Sequence, residues 1–106
     1  MNMAIRSLLN GGSTNWAGSN TTVTKNPNNG NVTVLLHGNH IATLNNDFVA
    51  IYDGGWQSNT TKSRLNALCY EFATGFSVIQ RNRDWFVADF HGNRQDFADG
   101  FELAIS

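Results

Sequence analysis

Charge is what this chain of 106 residues has least of: Asp, Glu, Lys and Arg together make up 14% of it, well below the quarter typical of globular domains. The formal net charge of -1 argues against both a polybasic coat for nucleic acid and an acidic nucleic-acid mimic. Cysteine occurs once, at Cys69, so an intramolecular disulfide is excluded, as is a zinc site built on two or four thiolates. Proline also occurs once, at Pro27. No apolar run approaches the roughly 18 residues a membrane-spanning helix needs. The opening MNMAIRSLLN interrupts its apolar stretch with Arg6, unlike a secretory leader. The expectation is one domain standing on its hydrophobic core, in the cytoplasm, without a membrane partner.

Amides and hydroxyls supply the missing polarity, with 15 Asn, 9 Thr and 7 Ser. Asn-x-Thr triplets begin at Asn20, Asn31 and Asn59, as such a composition produces by chance, and without secretion they carry no weight. Residues 10–31 collect Asn, Gly, Ser and the single Pro, so residues 1–19 read as a mobile arm and 20–106 as one α+β domain. A Thr/Val strand is expected at 21–25. In NVTVLLHGNHIATL two β-rich runs flank Gly38-Asn39, the loop of a type II′ hairpin. That register sets Leu36 opposite Ile41, Val34 opposite Thr43, and His37 opposite His40. A further strand, DFVAIYD, ends at Gly54-Gly55.

From 59 to 73 the period becomes helical: Leu65, Leu68, Cys69 and Phe72 fall at i, i+3, i+4 and i+7, with Asn59, Thr60 or Thr61 as cap and Gly75 as stop. Strands resume beyond it. A turn at Asn82-Arg83 sets Arg81 opposite Asp84 and Ile79 opposite Phe86. A second loop, Gly92-Asn93, sets Ala88 opposite Phe97. Ile79, Phe86, Ala88, Phe90, Phe97 and Phe101 then share the face expected to receive the helix. The fold class is α+β, an antiparallel sheet of about five or six strands with one helix packed on one face.

Chemistry-bearing groups are sparse. His37 and His40 would converge on a metal only with a third ligand, which is not nearby; solvated turn histidines are the simpler reading. Asp89 and Asp96 come out as cross-strand neighbours, a repulsive pair that calls for Arg94, a cation, a raised pKa or a different register. Cys69 lies on the apolar stripe of the helix, where a thiol is inert. No nucleophile elbow, phosphate-binding glycine loop or zinc helix occurs. No catalytic residue, metal or cofactor is assigned, and no enzyme is expected.

The strongest functional feature is NTTKSRLNAL at the helix start. Free N–H groups, the helix dipole, the hydroxyls of Thr60 and Thr61 and the cations Lys62 and Arg64 together favour an anion such as phosphate. An ordinary cap with two solvated cations is the structural alternative. Arg81 and Arg83 extend the basic share: residues 1–83 hold six cations and three anions, residues 84–106 one and five. Trp16, Trp56, Trp85, Tyr52 and Tyr70 are available for base stacking, although a small domain needs most of its large side chains inside.

The run VTVLLHGNHIATL, then GWQSNTTKSRLNALCYEF, GFSVIQRNRDWFV and FADGFEL, resembles a group of small proteins encoded by tailed bacteriophages. The resemblance covers residues 20–104, and its most specific part is the TTKSRLNAL helix start together with the LHGN turn. It implies a phage origin and action in the cytoplasm of the infected bacterial host, and supplies no catalytic residues. The leading expectation is a non-enzymatic phage accessory protein contacting nucleic acid through Thr60, Thr61, Lys62, Arg64, Arg81 and Arg83. The rival is a protein-binding inhibitor of a host enzyme or defence complex, followed by a small virion-associated protein. Lys62, Arg64, Arg81 and Arg83 discriminate between the first two: on separate faces they make no phosphate track.

Overall fold

In the stretch from Thr21 to Leu44, Thr alternates with Val and Leu, which gives strands with one apolar and one hydroxylated face. The computed structural model describes residues 1–105. Its elements are α1 (Asn2–Leu9), β1 (Trp16–Gly18), β2 (Thr21–Lys25), β3 (Val32–Leu36), β4 (Asn39–Leu44), β5 (Phe48–Ile51), α2 (Asn59–Phe72), β6 (Ser77–Arg81), β7 (Asp84–Ala88), β8 (Arg94–Asp96) and β9 (Phe101–Ala104). Six strands form an antiparallel sheet in the order β1-β2-β3-β4-β5-β9, and β6-β7-β8 form a second, three-stranded sheet. The α+β class and the six-stranded antiparallel sheet match the expectation. A second helix and a separate small sheet are additions to it.

The inner face of the large sheet is continuous across strands: Val23 pairs with Val34, Val34 with Ala42, Ala42 with Ile51, and Val49 with Leu103. All are buried. Thr22, Thr24, Thr33 and Thr43 alternate with them and stay partly exposed, which is where much of the uncharged polarity of the chain resides. Leu65, Leu68, Cys69 and Phe72 of α2 are buried in the same core, as the helical period requires. Burial pushes the Cys69 thiol up to about 11, so the reactive thiolate is scarce at neutral pH.

The helix runs as expected, but its cap lies one residue earlier. Ser58, with extended backbone, accepts a hydrogen bond from the Thr61 N–H at 3.1 Å. Ser58→Ala should therefore lower stability by about 1 kcal/mol in urea denaturation. An unchanged midpoint would show that the neighbouring hydroxyls cap the helix instead.

Residues 1–19, read from sequence as an arm, contain α1 and β1. Ile5 and Leu8 are buried in the common core, Arg6 pairs with Glu71 at 2.7 Å, and Lys25 donates to the carbonyls of Leu8 and Gly12 at the helix end. A cation suits that terminus because the last carbonyls carry partial negative charge.

In the first hairpin three pairings differ from the sequence reading, since Leu36, Val34 and His37 do not face Ile41, Thr43 and His40. The β3–β4 loop is His37-Gly38, both at positive φ (52° and 79°), the requirement of a type I′ turn. Leu36 then faces Asn39, and Leu35 faces His40. A register shift between Val34 and Leu35 absorbs the extra residue, so that Ile41 and Ala42 are both buried. His37 sits in the loop, and the Nε2 atom of His40 lies 2.7 Å from the Thr43 hydroxyl, so the two imidazoles are not paired.

In the small sheet the Asn82-Arg83 turn gives the expected register, Arg81 opposite Asp84 and Ile79 opposite Phe86. The next loop does not. Ala88 faces Arg94, and Asp96 faces Phe86, so Asp89 and Asp96 are no pair. Asp89 instead closes its own loop by accepting from the His91 and Asn93 N–H groups. Desolvation works to raise the pKa of its carboxyl, but these donors outweigh it, leaving a pKa below the usual value.

The buried face of this sheet carries Val78, Trp85 and Val87, the opposite of the expected one. Both faces of SVIQR and DWFVA are apolar, so strand alternation cannot choose between them. Docking to α2 makes the choice, and Phe86 is left on the other side beneath the Arg94 guanidinium at 5.3 Å.

Candidate binding site at the start of α2

The β4–β5 unit ends in a tight turn at Gly54-Gly55, both at positive φ. A Cβ on Gly54 would lie 3.2 Å from Asn39 and 3.3 Å from Ile41, so glycine lets this loop sit close against the β3–β4 hairpin. The Asp53 carboxylate accepts the Gly55 N–H at 2.7 Å, and the Asp53 N–H donates to Asp99 at 2.9 Å. From this anchored turn the chain passes through Trp56 to the cap at Ser58. The hairpin tip and the helix start thereby become the two walls of one cavity of about 290 Å³.

Leu36 and Ile41 are its apolar lining, and His37, Asp53, Thr60 and Thr61 add polar groups. Thr61 is buried, its hydroxyl 3.0 Å from that of Ser58. Trp56 lines the same cavity yet is 76% exposed. Sequence reasoning offered it as one of five stacking aromatics and placed most of these inside, without singling out Trp56. The signal was local: Trp56 follows two glycines and precedes Gln57 and Ser58, with no periodic apolar neighbours to bury it.

The four cations expected to act with Thr60 and Thr61 do not gather there. Lys62 reaches across to Gln80 on β6, 3.3 Å away. Arg64 leaves the opposite flank of α2, donating from Nε to the Thr21 hydroxyl at 3.3 Å. Arg81 and Arg83 are exposed at the β6–β7 turn. Arg81 shares with Asp84 the sheet face away from Val78 and Trp85. None of the four lines the cavity at the helix start, whose lining includes a carboxylate and no Lys or Arg. The geometry is that of a neutral to slightly acidic recess with an aromatic at its lip.

Among the described residues no three His, Cys, Asp or Glu side chains gather in a metal-binding group, and no helix is long and apolar enough to cross a membrane. A small α+β protein with a surface recess is thus defined, and comparison places it among bacteriophage proteins. The chain belongs to the Kyanoviridae Gp96 protein family, which matches residues 1–104. That span includes α1 and β1, beyond the 20–104 covered by the resemblance noted in the sequence. No curated protein matches the chain, and no solved structure does.

Proposed function

We propose that this phage protein is a non-enzymatic accessory protein that acts by docking on a host protein through the recess between the His37-Gly38 hairpin and the start of α2. The exposure of Trp56 at the lip of that recess carries the reading. Tryptophan is the residue type most enriched among interface hot spots, where it fills a desolvated pocket on the partner, and a lone exposed indole beside an apolar-lined recess supplies both an anchor and a receptor. Binding of nucleic acid through a shared phosphate track requires cations along one path, and Lys62, Arg64 and Arg81 point in three directions. The Asn- and Thr-rich surface suits a protein partner, since non-obligate interfaces are about as apolar as ordinary surface.

The test is capture of a stoichiometric partner from uninfected host lysate, with and without nuclease, by the wild type and by Trp56→Ala. Capture should survive nuclease, and the variant should bind roughly thirtyfold more weakly, the effect of losing a hot spot. Its melting temperature should not change, because the exposed indole contributes little to the core. Capture abolished by nuclease, or unaffected by Trp56→Ala, would overturn the proposal.

A further inference from the structure

One turn further along α2 lies a second cavity, of about 400 Å³, within the range of small-molecule sites. Its walls come from both helices and from the β1–β2 hairpin: Asn2, Trp16, Ser19, Thr21, Ser63 and Arg64. No carboxylate lines it, and among the described residues the one ion pair is Arg6 with Glu71. Arg64 therefore presents an uncompensated positive charge to the cavity.

The way Arg64 is held matters. Its Nε donates to the Thr21 hydroxyl, which in turn donates to the Ser19 carbonyl, both at 3.3 Å. Thr21 is buried, so this support is part of the fold. One edge of the guanidinium is used, and among the described residues no hydrogen bond occupies its two terminal nitrogens. A planar pair of donors is the geometry that grips a carboxylate or phosphate through two parallel hydrogen bonds.

Two further features shape the cavity. A Cβ at Gly18 would come within 2.9 Å of the Trp16 indole, so glycine is what allows this ring to lie against the β1 backbone and form an apolar wall. Asn2 donates to the Ala67 carbonyl at 3.2 Å, which holds the start of α1 against α2 as the far wall of the cavity.

We infer that this cavity binds a small molecule that combines an oxyanion with a flat apolar ring. The oxyanion lies on the free edge of Arg64 and the ring against Trp16. Phosphate esters and ring-bearing carboxylates share this chemistry. The inference does not rest on docking at Trp56, which is not among the residues that line this cavity.

Three probes test it by titration calorimetry: adenosine 5′-monophosphate, indole-3-acetate and inorganic phosphate. At least one ring-bearing probe should bind, more tightly than inorganic phosphate does, and the probe that wins identifies the source as phosphate ester or carboxylate. Arg64→Gln should weaken binding about tenfold or more by removing the charged fork. Ser63→Asp, at an exposed position of the cavity wall, should do the same by placing a negative charge where the oxyanion would lie, and it serves if Arg64→Gln folds poorly. Trp16→Leu should erase the preference for ring-bearing probes. No binding of any probe at about 10 mM, a level that weaker than millimolar affinity alone would explain, or binding indifferent to both charge variants, would overturn the inference.

Discussion

A chain carrying both Ile5→Ala and Leu8→Ala is expected to lose about 4–8 kcal/mol of stability and to be largely unfolded. Each side chain is fully enclosed, and truncating a buried Ile or Leu to Ala costs about 2–5 kcal/mol in lost transfer energy and residual cavity. The two lie one turn apart on the same face of α1, so their cavities merge and the losses fall short of a simple sum. Even so, the deficit approaches the roughly 5–15 kcal/mol available to a domain of ordinary stability. Urea denaturation of the double variant checks this directly. A loss below about 1 kcal/mol would mean that α1 spends its time detached in solution and that residues 1–19 are the mobile arm their composition suggests.

That arm reading shows how far the sequence reached. Met1, Ile5, Leu8 and Leu9 already fall on a helical period, but an eight-residue helix without a side-chain cap is unstable alone. It exists by covering the sheet, and local signals do not record such long-range contacts. α2, by contrast, carries its cap, period and stop within one segment, and was legible. Among the hairpins, Asn82-Arg83 was readable because its register follows from the turn itself. The first failed because His37 adopts positive φ, a conformation that histidine takes more readily than most residues, and shifts the loop by one position. The bulge that follows repairs the inward face, and two-fold alternation has no means of anticipating it.

Parts of the candidate site were legible in the same uneven way. Ser58 to Thr61 could be placed at a helix start, and the divergence of Lys62 from Arg64 is helical arithmetic, since residues two apart sit about 200° around the axis. What the sequence could not show is which elements meet them. The hairpin tip arrives over Thr60 through sheet pairing and the Gly54 contact. Thr21 arrives under Arg64 because β2 pairs with β3, an arrangement spanning 43 positions between the bonded residues.

Beside the buried face that docks the small sheet on α2, one such long-range meeting ties β6 to that helix, and removing it should have a comparably large effect. Asn66 of α2 donates from Nδ2 to the Val78 carbonyl at 3.0 Å and accepts the Val78 N–H on Oδ1 at 2.7 Å. Its amide thus stands where one residue of a further strand would stand, beyond the free edge of β6. Val78 is buried, so neither backbone group has water as an alternative. Asn66→Ala should cost about 2–5 kcal/mol, because each buried backbone group left unpaired costs about 1–3 kcal/mol. Hydrogen exchange should show the Val78 amide losing its protection, and a stability change below about 0.5 kcal/mol would rule out this role. Asn66→Asp gives a sharper test. The protonated acid can donate to the Val78 carbonyl, whereas the carboxylate sets its charge against it, so the folded state raises the pKa of this group above its unfolded value near 3.9. The variant should be most stable below that unfolded value and should lose the stability as pH rises through the raised folded one. A variant whose stability instead climbs over this range would show that the introduced carboxylate is solvated and that β6 is held by other contacts.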